Sequence, residues 1–170
     1  RLCARREIDA SAFFDALAEP LGDSNDFTFT AWVNWNGGGN WQRIFDFGNG
    51  GTDNYVFLTP KSATNTLRFG IKQAGVEQFV DATVLPTGTW THVAVTINNT
   101  TAKIFVNGVL AATNAAFTND PGALNTRFNY LGKSQWPDPL FSGKLDDVRF
   151  FTTALSDAQM IEIEAAAMER

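Results

Sequence analysis

The chain of 170 residues has the length of one ordinary domain and can bury its own core without help from a metal or disulfide. It is poor in charge, at 18% Asp, Glu, Lys and Arg, and its net charge of −5 opposes binding to a phosphate backbone, so no nucleic-acid partner is expected. No run of about 18 apolar residues exists to insert in a membrane as a helix, and the single cysteine, Cys3, excludes a disulfide framework.

Arg1 to Arg6 contains neither an initiating Met nor the apolar stretch of a signal peptide, so the chain reads as a mature or excised segment. Residues 1–10 form a tail or first strand, with Cys3 in the tail, and Ser11–Leu17 fits either helix or strand by composition. From Phe27 onward, short alternating segments are separated by Gly, Asn, Asp and Pro. Phe27–Val33 alternates at period two and reads as a half-buried strand. Three glycines within Asn34–Asn40 make a loop, and Trp41–Phe47 alternates again. Tyr55–Leu58, Leu67–Ile71 and Glu77–Val80 follow, and Thr89–Ile97 is the longest strand signal. Asn107-Gly108 suits a type I′ turn, whose two central residues both need positive φ, and should close Ala102–Val106 onto Val109–Ala112. Phe128–Leu131 and Gly143–Phe151 complete the strands, with Trp136-Pro137-Asp138-Pro139 in the loop between them. Ser156 and Gln159 form a capping box that opens a terminal helix. Short strands at regular spacing, with no crossover helices, predict an all-β, two-sheet antiparallel sandwich with one short C-terminal helix. The expected division is 1–10 tail, 11–155 sandwich and 156–170 helix.

Several motifs in this order resemble laminin G-like domains of the concanavalin A-like lectin/glucanase superfamily. They are Phe27–Val33 ("FT-x-x-AW"), Trp90-Thr91-His92-Val93-Ala94, Phe105-Val106-Asn107-Gly108, Leu131-Gly132-Lys133-Ser134, and Phe141 through Gly143-Lys144-Leu145-Asp146-Asp147-Val148-Arg149. Ala154-Leu155-Ser156 closes the series. Ile8-Asp9-Ala10 is similar to the family's opening "F-D-G", with Ala10 in place of the glycine. The resemblance implies a jelly roll and tips Ser11–Leu17 toward strand. It also implies a calcium ion near the domain ends, carried by Asp146 with Asp9 as its partner.

Glycan-cleaving relatives place paired carboxylates along one strand as Glu-x-Asp-x-(x)-Glu, so that alternation directs them into a common cleft. That pattern is missing, and on a regular strand Asp146 and Asp147 would point to opposite faces. The one histidine, His92, reads as a structural group, and one His with one distant Cys cannot make a zinc site. Calcium needs six to eight oxygens, and the chain carries twelve Asp against six Glu, with Asp and Asn concentrated in turns. Sugars stack on exposed aromatic faces beside amides and carboxylates. Trp136 with Gln135 and Asp138 forms one candidate rim, and Trp41 with Asn36 and Asn40 a second; Trp32 and Trp90 are expected in the core. The expected role is a non-catalytic, extracellular carbohydrate-binding or adhesion module. Its partners would be a glycan or glycoprotein, and further domains or neighbouring subunits. A structural surface-layer or filament subunit and a glucanase-type hydrolase are the alternatives.

Overall fold

A computed structural model describes residues 24–168 and, before them, the strand segments Leu2–Ala4, Ile8–Asp9 and Phe14–Asp15. The strands are β1 (Leu2–Ala4), β2 (Ile8–Asp9), β3 (Phe14–Asp15), β4 (Phe27–Trp35), β5 (Phe45–Gly48), β6 (Tyr55–Thr59) and β7 (Thr66–Gln73). They continue with β8 (Val76–Thr83), β9 (Trp90–Asn98), β10 (Thr101–Val106), β11 (Val109–Asn114), β12 (Phe128–Leu131) and β13 (Gly143–Phe151), and helix α1 spans Asp157–Met168. A first sheet runs β1-β13-β4-β9-β10-β11, with β2 also on β13, and a second runs β3-β12-β5-β6-β7-β8; their strands pair antiparallel. The two pack face to face as a jelly-roll sandwich. Cys3, expected in a tail, lies instead in β1, whose backbone pairs with β13. Ser11–Leu17 holds a strand, β3, as the family resemblance implied. Among the described residues no helix is long and apolar enough to cross a membrane.

Period-two alternation builds the core. From the first sheet Phe27, Phe29, Ala31, Val33 and Trp35 point inward beside Val93, Val95 and Ile97. From the second sheet Phe45, Phe47, Val56, Leu58, Leu67, Phe69 and Ile71 meet them. Phenylalanine dominates this layer, with Phe29 and Phe45 rings 4.7 Å apart, and each buried Phe contributes roughly 1.5–3 kcal/mol.

The first half of β4 is buried on both faces, at Thr28 and Thr30 as well as on the core side, because the chain's C-terminal segment lies across the outside of the first sheet there. Thr28 Oγ1 donates to the Thr153 carbonyl and accepts from Leu155 N–H, and Met160 of α1 packs on Ala94 and Phe105. The capping box forms: Ser156 N–H donates to Gln159 Oε1 at 2.9 Å, and Gln159 N–H to Ser156 Oγ at 3.3 Å. Asn107 and Gly108 take the positive φ values, 49° and 72°, that their hairpin requires. The strand expected over Trp41–Phe47 begins only at Phe45, since Trp41 adopts φ 67° and its carbonyl turns to accept from Arg43 Nη1.

Candidate functional site

Residues in the opposite phase of the second sheet cover its outer face. Register aligns Tyr130, Asp46, Phe57, Gly70 and Phe79 in one row across β12, β5, β6, β7 and β8. The adjoining row is Phe128, Gly48, Tyr55, Lys72 and Glu77, and Arg68 and Asp81 sit beyond on the other side. Gly70 is small for a reason: a Cβ there would lie 2.7 Å from the Phe57 ring.

Asp46 is the hub. Its carboxylate accepts from Arg43 Nε at 3.0 Å, from Gln135 Nε2 at 2.6 Å and from Ser134 Oγ at 3.4 Å. Burial raises its pKa, while the Arg43 charge and the Gln135 hydrogen bond pull it back down. Arg43 lies 4.5 Å over Phe57 and bridges from Asp46 to Asp138 Oδ2 at 3.4 Å, and Ser134 Oγ donates to that same Asp138 oxygen at 2.8 Å. Nearby, Arg68 grips Asp81 with both arms, at 2.7 and 2.8 Å, while lying 3.7 Å over Phe79. Tyr55 donates to Glu77 Oε2 at 3.2 Å; its burial, then the Glu77 charge, push the phenol's pKa up.

The loop that follows β12 is pinned to this hub and presents Trp136, whose ring meets Tyr55 edge-on at 6.4 Å. Both amide atoms of Gln135 are used inside the protein, Nε2 on Asp46 and Oε1 on Gly50 N–H, and the side chain fills the space that a Cβ on Gly48 would take. Of the two rims expected from sequence, Trp41 and Asp138 are joined through Arg43, which donates to the Trp41 carbonyl at 2.7 Å and reaches Asp138 at 3.4 Å. Gln42 Oε1 accepts from Trp35 Nε1 at 3.1 Å and from Ser142 N–H at 2.8 Å, and Asn36 N–H donates to the Ser142 carbonyl at 2.8 Å. Trp41 is half-buried, with Arg43 5.6 Å and Arg68 5.8 Å from its ring. Asn36 is exposed and Asn40 half-buried at the tip of the same loop.

Asp46, Arg43, Tyr55, Phe57, Arg68, Phe79, Phe128 and Tyr130 escaped the sequence reading. The available signal was phase: Asp46 is a charge between two core phenylalanines, and Tyr55 and Phe57 share the outward phase of β6. Trp90, expected in the core, is 39% exposed, because it shares the outward phase of His92, Ala94 and Thr96 at the very start of β9. Trp32 shares the outward phase of β4, where its ring lies 5.5 Å from His92.

At the resemblance's calcium position, β13 bulges between Asp146 and Arg149, and Asp147 takes φ 48°. Asp147 therefore turns to pair with Arg149 at 2.6 and 2.8 Å, and Asp146, exposed, accepts its neighbour's N–H at 2.7 Å. Asp9 pairs by backbone with Lys144, two residues from Asp146, and its side chain lies outside the described residues. Among the described residues no three acids, histidines or cysteines converge, so these alone do not form a calcium cage.

A laminin G-type family model, described as Concanavalin A-like lectin/glucanases superfamily, matches residues 9–160. The chain belongs to that superfamily. Solved structures repeat this lectin-like sandwich. Domain 4 of AbnA, a GH43 extracellular arabinanase from Geobacillus stearothermophilus in complex with arabinotriose, is 25% identical with a TM-score of 0.72, over 85% of this chain and 69% of that one. The Ruminococcus gnavus IT-sialidase CBM40 bound to α2,3-sialyllactose is 19% identical with a TM-score of 0.78, over 96% of this chain and 98% of that one. In the NanB sialidase of Streptococcus pneumoniae the match covers 92% of this chain but only 26% of that one, at 14% identity and a TM-score of 0.77.

Proposed function

We propose that this domain is a non-catalytic carbohydrate-binding module that holds a glycan or glycoprotein on the outer face of its second sheet and works outside the cell, in an accessory or adhesive role. One observation carries the reading: Trp136, 38% exposed in the loop after β12, and Phe128, 43% exposed at the start of β12, stand beside side chains that hydrogen-bond the buried Asp46. Fixed aromatic faces beside polar groups are what sugar rings stack on. The neighbours complexed with arabinotriose and sialyllactose support the same class of ligand.

The environment of the central carboxylate supports binding without cleavage. Hydrolysis needs two of them facing the scissile bond. Asp46 has no exposed surface and is committed to Arg43, Gln135 and Ser134, so neither water nor a sugar oxygen reaches it. The decisive experiment is a glycan array probed with wild type and Trp136→Ala. Loss of a central aromatic anchor should weaken binding about ten-fold with melting unchanged; equal binding by both proteins refutes the site. A structural calcium at Asp146 and Asp9 belongs to the same proposal, supported by the register that sets Asp9 opposite Lys144. Chelation should then lower the Tm, and Asp146→Ala should abolish that response; an unchanged melt in chelator removes the ion from the proposal.

A further inference from the structure

We infer that the module takes glycans end-on: the pocket beside β12 receives the terminal sugar of a chain, and the interior of a long polysaccharide is not a ligand. The inference rests on the proposed function and adds the class of ligand. Its first support is that the middle of the face is sealed. Asp46 and Phe57 are 0% and 1% exposed, and Tyr55 and Arg43 are also buried, because Arg43 lies over Phe57 and Gln135 over Gly48. A polymer crossing the strands would find no groove there.

The second support is the size of a cavity beside β12. It measures about 240 Å³ and is bounded by Gly50, Phe128, Tyr130, Lys133, Ser134 and Gln135. That is the volume of roughly eight waters, below the roughly 300–1,000 Å³ of pockets for larger ligands, and it suits one sugar ring. Phe128 and Tyr130 supply aromatic walls, with centroids 6.5 Å apart and planes tilted by 33°. Lys133 Nζ stands 4.7 Å from the Tyr130 ring and lines the same cavity. Gln135, strung from Gly50 N–H to Asp46, closes the end toward the middle of the sheet. The first sugar stops at Gln135, and only a second reaches across it to Trp136, whose ring stands against Tyr55.

The test is calorimetric titration of the intact chain with arabinose, arabinobiose, arabinotriose, linear arabinan and α2,3-sialyllactose, beside a broad glycan array. For any series that binds, affinity should change less than about three-fold beyond the second sugar, and a polymer should take up one protein per chain end. Phe128→Ala, at a half-exposed ring, and Lys133→Ala should each weaken binding about ten-fold with Tm unchanged, and Trp90→Ala, on the other sheet, should bind like wild type. Protein decorating a polymer along its length overturns the inference alone, as does a ten-fold gain between two and six sugars or full binding by Phe128→Ala. Failure to bind any glycan overturns the proposed function together with it.

Discussion

Replacing His92 by Gln should flatten the acid side of the stability profile. His92 is buried on the outer side of the first sheet, and its Nδ1 has no hydrogen-bond partner among the described residues. Burial lowers its pKa from 6.5 to about 4; Asp147 pulls it back up and Arg149 pushes it further down. The folded protein therefore binds a proton less readily than the unfolded chain. The contribution of neutral His92 is complete above about pH 6.5 and is lost as pH falls toward 4, where protons draw the chain toward the unfolded state. A gap of about two and a half pH units, at 1.36 kcal/mol each, makes that loss about 3 kcal/mol. Asp46 acts with the opposite sign, since a raised carboxyl pKa favours the native state on acidification, but it is common to both proteins. Urea titrations of wild type and His92→Gln at about pH 7, 5.5 and 4 read the difference directly. Parallel loss of stability in the two proteins, or a titration of His92 by NMR near its ordinary value, refutes the reasoning.

Other outcomes follow from the second sheet. Asp46→Leu breaks a buried ion pair and should cost about 3–5 kcal/mol in urea denaturation, whereas the double variant Arg43→Met with Asp46→Leu should recover most of it; equal cost in single and double variants would show that the pair's charge is not the cause. Gly70→Ala should cost about 1–3 kcal/mol, because its methyl would press on the Phe57 ring, and adding Phe57→Leu should return part of that loss. No recovery in the double variant would mean that the strain lies in the backbone of β7.

Much of the scaffold was legible in the amino-acid order. The spans of β12, β13 and α1, and the Asn107-Gly108 turn, follow from local rules: alternation, a capping box and tolerance of positive φ. Most of the family motifs are scaffold, lying on β4, β9, β10 and β13 of the first sheet, whereas Leu131-Gly132-Lys133-Ser134 leads from β12 of the second sheet into the proposed site. The face proposed for binding lies on the second sheet, and its groups come from distant stretches: Arg43 and Asp46 meet Ser134, Gln135 and Asp138 only after folding. Alternation tells which residues point out, yet it cannot tell that Arg43 will lie across Phe57 or that Gln135 will fill the space above Gly48. The bulge in β13 was hidden for the same reason, since nothing local in Asp146-Asp147 announces a positive φ.

The first sheet carries β1 on one edge and α1 across its back, so the described segments nearest both ends of the chain sit on the same side of the sandwich. A tether, tag or neighbouring module joined beyond α1 would start from the back of the first sheet, away from the outer face of the second. Immobilising the protein through the end of α1 should therefore orient it with its receptive side toward the bulk solution.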